Sequence, residues 1–120
     1  MNKQTLVLGA SLKENRYSNI AIHRLRKYHV PVVAIGLRKG IVADVEICNE
    51  TQEFENVHTV TLYLNPKRQE PYFDYVISLA PQRVIFNPGT ENPEFYELLK
   101  RNDIEIAVAC TLVMLGTGQY

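Results

Sequence analysis

Apolar residues in this chain fall in short unbroken runs, separated by segments whose apolar positions follow helical spacing. Thr5–Leu8 is a β-rich run that Gly9 ends, and four more runs follow at Val30–Ile35, His58–Tyr63, Arg83–Phe86 and Ile104–Ala109. The second, Val30-Pro31-Val32-Val33-Ala34-Ile35, is too short for a helix and rich in β-branched residues. Its continuous rather than alternating character predicts a strand covered on both faces, as in a parallel sheet. Between the first two runs a helix is expected from Ser18, as its cap, through Tyr28, with Ala21, Leu25 and Tyr28 on one buried stripe. Asn65-Pro66 and Asn92-Pro93-Glu94 each read as an N-cap followed by proline at the first helical position. Pro71 resets the first of these helices and leaves Tyr72, Tyr75, Val76 and Leu79 facing inward, while Phe95, Leu98 and Leu99 form the stripe of the second. Thr111–Leu115 predicts a closing helical turn, and residues 40–56 read as a loop with one short strand near Val45–Ile47.

Strand–helix units alternate down the chain with no internal repeat and no low-complexity tract. That order predicts an α/β fold: a doubly wound, five-stranded, mostly parallel sheet in a Rossmann-like three-layer arrangement, as one domain over residues 1–120. In such folds ligands bind beyond the carboxyl ends of the strands, near the point where strand order reverses. Gly9-Ala10-Ser11, Arg38-Lys39, Asn65-Pro66 and Asn87-Pro88-Gly89 all follow expected strands at that edge.

The formal net charge is zero, but its distribution is uneven. Residues 1–39 carry eight basic side chains against Glu14 alone, and residues 40–56 carry five acids and no base. Arg24, Arg26 and Lys27 read as a solvated helix face, whereas Arg16, Arg38 and Lys39 fall in loops beside serine or glycine. A balanced charge without an extended basic face argues against nucleic acid as a partner. Cys48 and Cys110 form no metal-ligating spacing, so a reduced cytoplasmic setting is expected. The start of the chain leads directly into a strand, with no signal-peptide h-region. The longest apolar run, Ile106 to Leu115, is about half of the ~20 residues a membrane span needs, so no membrane association is expected.

The chemistry at the strand ends points to an anion. Val7-Leu8-Gly9-Ala10-Ser11, followed by Arg16-Tyr17-Ser18-Asn19, is a strand breaking into a small-residue loop and a helix start, where backbone N–H groups attract phosphate. Dinucleotide folds commonly end the second strand in an acid that binds a ribose hydroxyl, while an Arg there suits a ribose phosphate. Here Gly36-Leu37-Arg38-Lys39 supplies two cations and no acid, which favours a phosphorylated adenosine compound over NAD. No catalytic set emerges: there is no G-x-S-x-G elbow, Walker A motif or H-E-x-x-H, and His23, His29 and His58 have no metal spacing. Cys110 is the one reactive candidate, although a buried cysteine is usually an inert small hydrophobe; Tyr17 is placed to edge the adenine, and Tyr63 either edges it or belongs to the core.

From Leu6 to Leu115 the chain resembles the stand-alone CoA-binding domain family, a Rossmann-type group related to the amino-terminal domain of the succinyl-CoA synthetase alpha subunit. The segments that carry the resemblance are Val7–Ser11 with Ser18-Asn19, Val33–Arg38, Val84–Thr90 and Ala109-Cys110-Thr111. The resemblance implies coenzyme A or an acyl-CoA as ligand. It implies Gly9, Ala10, Ser11, Ser18 and Asn19 at the phosphates, Arg38 and Lys39 at the adenosine phosphate, and Asn65, Pro66, Asn87, Pro88 and Gly89 beside adenine and pantetheine. Arg16 joins them on electrostatic grounds. The ligase relatives carry a second domain with a phosphorylated histidine, for which 120 residues leave no room, so a non-catalytic carrier, sensor or regulatory module is expected. The alternatives are an NADP-dependent oxidoreductase, which Arg38-Lys39 would suit but which lacks G-x-G-x-x-G, and a structural or interaction domain without ligand.

Overall fold

The computed structural model describes residues 3–120, so Met1 and Asn2 of the domain expected over 1–120 lie outside the described residues. The strands are β1 (Thr5–Ala10), β2 (Val32–Gly36), β3 (Gly40–Val42), β4 (Val45–Cys48), β5 (Thr59–Leu62), β6 (Arg83–Phe86) and β7 (Glu105–Val108). The helices are α1 (Tyr17–Lys27), α2 (Pro66–Gln69), α3 (Phe73–Leu79), α4 (Pro93–Arg101) and α5 (Thr111–Gly116), with a 3-10 turn over Glu70–Tyr72 between α2 and α3. The missing N–H of Pro71 accounts for that interruption.

One sheet runs in the order β3-β4-β2-β1-β5-β6-β7, with every pair parallel except β3 against β4. Strand order reverses at β1, which has β2 on one side and β5 on the other. Register follows the pleat: Leu6, Val60 and Val84 lie in one row and Leu8, Leu62 and Phe86 in another. These residues face α3 and α4, where Phe73, Val76, Phe95 and Leu99 complete the core. Phe73 stacks on Phe95 at 4.3 Å between centroids, and Phe86 meets Phe95 edge-on at 5.8 Å. Val7 and Ala34 point to the opposite face and pack with Ile22, Leu25 and Leu115 from α1 and α5. β1, β5 and β6 are therefore covered on both sides, as continuous apolar runs require.

The expected three-layer, mostly parallel α/β arrangement is present, but the sheet has seven strands and not five. The difference lies in residues 40–48, where β3 and β4 form a hairpin closed by Ala43-Asp44. Val42, Val45 and Ile47 are buried while Ile41 and Glu46 are exposed, the alternation of a half-covered pair. The tight turn places Ala43 at φ 55° without the Asn-Gly or Asp-Gly signature that announces such hairpins. Two helical details also differ. α1 begins at Tyr17 with Arg16 as its N-cap, so Ser18 lies inside the first turn and is buried instead of capping. Tyr28, past the last turn, is exposed, and Ile22 takes its place on the buried stripe with Ala21 and Leu25.

At the amino edge of the sheet the buried Arg83 donates from Nε to Thr59 Oγ1 (2.8 Å) and from Nη2 to the Tyr120 carbonyl (3.0 Å), with its guanidinium 4.5 Å from the Tyr120 ring centre. His58 stands beside this cluster, its Nδ1 2.7 Å from Thr59 Oγ1. Burial, then the positive charges of Arg83 and Lys3, hold its pKa below the ordinary 6.5, against a smaller opposing pull from Glu105. A base with a lowered folded pKa binds fewer protons when folded than when unfolded. Stability should therefore fall as pH drops below about 6.5 toward the folded value. Urea unfolding between pH 7.5 and 5 should show this loss, and His58→Gln should flatten the part that His58 contributes.

Candidate functional site

Beyond the carboxyl ends of β1, β2 and β5 the backbone segments approach one another closely. Gly9 has φ +100°, and a Cβ there would lie 2.9 Å from the carbonyl carbon and oxygen of Tyr63, at the end of β5. The β1–β2 register breaks between Leu8 and Ala10, so Gly9 bulges as Ala10 comes to pair with Gly36. A Cβ on Gly36 would collide with the Ala10 carbonyl, and one on Gly40 with the Leu12 side chain. The β1–α1 loop is thus seated directly on the β2–β3 turn that carries Arg38 and Lys39.

The loop itself is held by local bonds. Ser11 Oγ accepts from Lys13 N (3.1 Å), and the buried Asn19 reaches back from α1 to donate to the Ser11 carbonyl (2.9 Å). Arg16 makes no side-chain cap and the first turn of α1 contains no acid. The N–H groups of Tyr17 and Ser18 therefore stand at an open, electropositive helix end. Lys13, Arg16, Arg38 and Lys39 are all exposed around it, and among the described residues none of them forms an ion pair. The hairpin behind Arg38-Lys39 is tied to α1 by Arg26, which donates from Nε and Nη2 to the two Asp44 carboxylate oxygens at 2.8 and 2.9 Å. That bidentate bond holds the Asp44 carboxyl below its ordinary range.

On the other side of β1 a cleft of about 240 Å3 opens between Tyr17, Tyr63, Asn87, Pro88, Cys110 and Leu112. Burial pushes the Tyr63 hydroxyl up to about 12, against hydrogen bonds to Thr111 and Thr61. Asn87, 3% exposed, forms the floor: its Nδ2 donates to Thr61 Oγ1 (2.7 Å) and the Leu62 carbonyl (2.9 Å), and its Oδ1 accepts from Thr111 N (2.9 Å). Thr61 and Thr111 hydroxyls join at 2.8 Å. This network ties β5, β6 and α5 together. A larger, open depression of about 570 Å3, between residues 51–54 and α3, contains none of the expected site residues.

Gly9, Ala10, Ser11, Arg16, Ser18 and Asn19 thus share one loop and helix start, with Arg38 and Lys39 on the turn against it. Asn87 and Pro88 line the cleft next to them, whereas Asn65, Pro66 and Gly89 are outside its lining. Asn65 acts as the N-cap of α2, accepting from Arg68 N (3.0 Å), and Gly89 N donates to Glu91 Oε1 (2.8 Å). Sequence reasoning missed Thr61, Leu112 and the fully buried Gln69, which donates to the carbonyls of Leu64 and Thr90 (both 2.8 Å) and couples the loops after β5 and β6. Gln69 sits in the polar stretch Pro66–Gln69, where nothing in the pattern marks it as buried. Among the described residues no group of three or more His, Cys, Asp or Glu could hold a metal ion, and no helix is long and apolar enough to cross a membrane.

Asn87→Ala removes three hydrogen bonds and strands the Thr111 N–H, so it should destabilise the fold by about 2–4 kcal/mol in urea unfolding. A loss below 1 kcal/mol would show that the Asn87 network does not hold the cleft floor.

The model of the family described as CoA binding domain matches residues 3–116. No curated protein matches the chain. A crystal structure of an uncharacterized protein is similar at 47% identity with a TM-score of 0.96, covering 100% of this chain and 99% of that one. A structure described as cell-free ID.343 from Thermus thermophilus has 20% identity and a TM-score of 0.86, with 99% and 91% covered. A hypothetical protein from Pyrococcus horikoshii OT3 has 21% identity and a TM-score of 0.87, with 97% and 83% covered. The last two share the fold.

Proposed function

The chain belongs to the CoA binding domain family, and from that premise we propose that it binds coenzyme A or an acyl-CoA as a cytoplasmic, non-catalytic, single-domain module. One observation carries the reading: the strand ends that lead into the β1–α1 loop and into the Arg38-Lys39 turn pair at Ala10 and Gly36, and Leu12 of that loop lies against Gly40 just beyond the turn. A diphosphate at the N–H groups of Tyr17 and Ser18, flanked by Gly9, Ala10, Ser11 and Arg16, leaves the adenosine on the β2 side. There Arg38 and Lys39 meet the ribose 3′-phosphate. Asn19 shapes the loop through Ser11. Asn87 acts first as a structural clamp, because both its amide hydrogens are donated within the protein and its oxygen already accepts from Thr111 N.

A thermal-shift panel of CoA, 3′-dephospho-CoA, NADP and NAD tests this. Binding to the native state raises stability by RT ln(1 + [L]/Kd), about 2.7 kcal/mol at 100 times Kd. CoA should give the largest shift and NAD none; NADP alone shifting the midpoint would transfer the assignment to a reductase, and a flat panel would leave a ligand-free domain. Arg38→Ala should weaken CoA by about 1.5–3 kcal/mol, roughly tenfold or more, while leaving dephospho-CoA within twofold. Equal losses for both ligands would show that Arg38 does not read the 3′-phosphate.

A further inference from the structure

The cations and the cleft lie on opposite sides of β1. Arg38 and Lys39 follow β2, whereas the cleft is built from residues after β5, β6 and β7, with Tyr17 at its near wall. No Lys, Arg, Asp or Glu lines the cleft, whereas the exposed Arg38 and Lys39 lie on the β2 side. Its walls are Tyr63, Pro88, Cys110 and Leu112, over a floor where the polar atoms of Asn87 and Thr61 already have partners. A carboxylate brought there would lose water and find no counter-charge among the lining residues. The high Tyr63 pKa reports the same resistance to negative charge.

Reach decides what enters. With the diphosphate at the end of β1, the cleft around Pro88 is two interstrand spacings away, about 10 Å. Pantetheine runs through twelve bonds from its pantoyl oxygen to its sulfur, on the order of 15 Å when extended. The arm is therefore long enough to bring its sulfur into the cleft. The volume of about 240 Å3 equals roughly eight water-sized volumes, room for the thiol end and a chain of a few carbons.

Resting on the CoA reading above, we propose that this cleft is an acyl subsite selecting short, uncharged acyl thioesters of CoA over dicarboxylic ones. Each methylene buried there tightens binding about threefold to fourfold.

Titration calorimetry on the full chain with CoA, acetyl-, butyryl- and succinyl-CoA, and 3′,5′-ADP tests the proposal. Butyryl-CoA should bind about tenfold more tightly than acetyl-CoA, from two extra methylenes, and at least tenfold more tightly than succinyl-CoA. Leu112→Trp, which narrows the cleft, should lower the ratio of butyryl-CoA to 3′,5′-ADP affinity at least fivefold. Succinyl-CoA binding as well as butyryl-CoA, with CoA itself still bound, overturns the acyl subsite and leaves the CoA reading standing. No binding of CoA or 3′,5′-ADP overturns both. Loss of 3′,5′-ADP in Leu112→Trp in parallel with butyryl-CoA places the adenine end in the cleft and also overturns the proposal. Should Leu112→Trp not fold, the wild-type ligand series decides alone.

Discussion

Everything at the carboxyl edge depends on two missing side chains. Gly9 lets the end of β1 press on the Tyr63 backbone, and Gly36 lets the end of β2 press on Ala10. Any Cβ at either position would push one strand end away from the next. Gly9 also takes a φ of +100°, where an L-side chain is strained whatever the space. The close approach turns three separate strand ends into one surface. Without it, the cationic turn and the open helix end would be neighbours in topology only.

Charge at this edge is arranged by contrast. Arg26 is spent on Asp44 and holds the hairpin to α1, while Lys13, Arg16, Arg38 and Lys39 stay exposed. The polar side chains nearest the cleft are engaged with one another, so Asn87, Thr61 and Thr111 give rigidity and, in the proposed function, leave recognition to backbone donors and surface cations. A rim built this way is organised before any ligand arrives, which lowers the ordering cost of binding. The buried Gln69 extends the same logic by joining the loops after β5 and β6.

The parallel heart of the sheet was legible because β1, β5 and β6 are covered on both faces and read as unbroken apolar runs. The hairpin was not. β3 is only three residues long and starts with glycine, and its turn uses Ala43 in a left-handed conformation that only tertiary packing sustains. Ser18 looked like a cap because its residue type fits one, but packing against the sheet draws it into the first turn and leaves the cap to Arg16. At the site, the loop and turn residues stood out through glycine, serine and charge. Tyr17, Tyr63, Asn87, Pro88 and Cys110 of the cleft stood out as well, whereas Leu112 and Thr61 did not, being ordinary residues whose role arises from distant strands meeting.

Arg38 and Lys39 are exposed on a turn anchored at Gly36 against the Ala10 carbonyl and at Gly40 against the Leu12 side chain. The two residues could be exchanged for others with little disturbance to the core. If Arg38 and Lys39 read the ligand as proposed, its preference could be retuned through two surface side chains without touching the glycines on which the architecture rests.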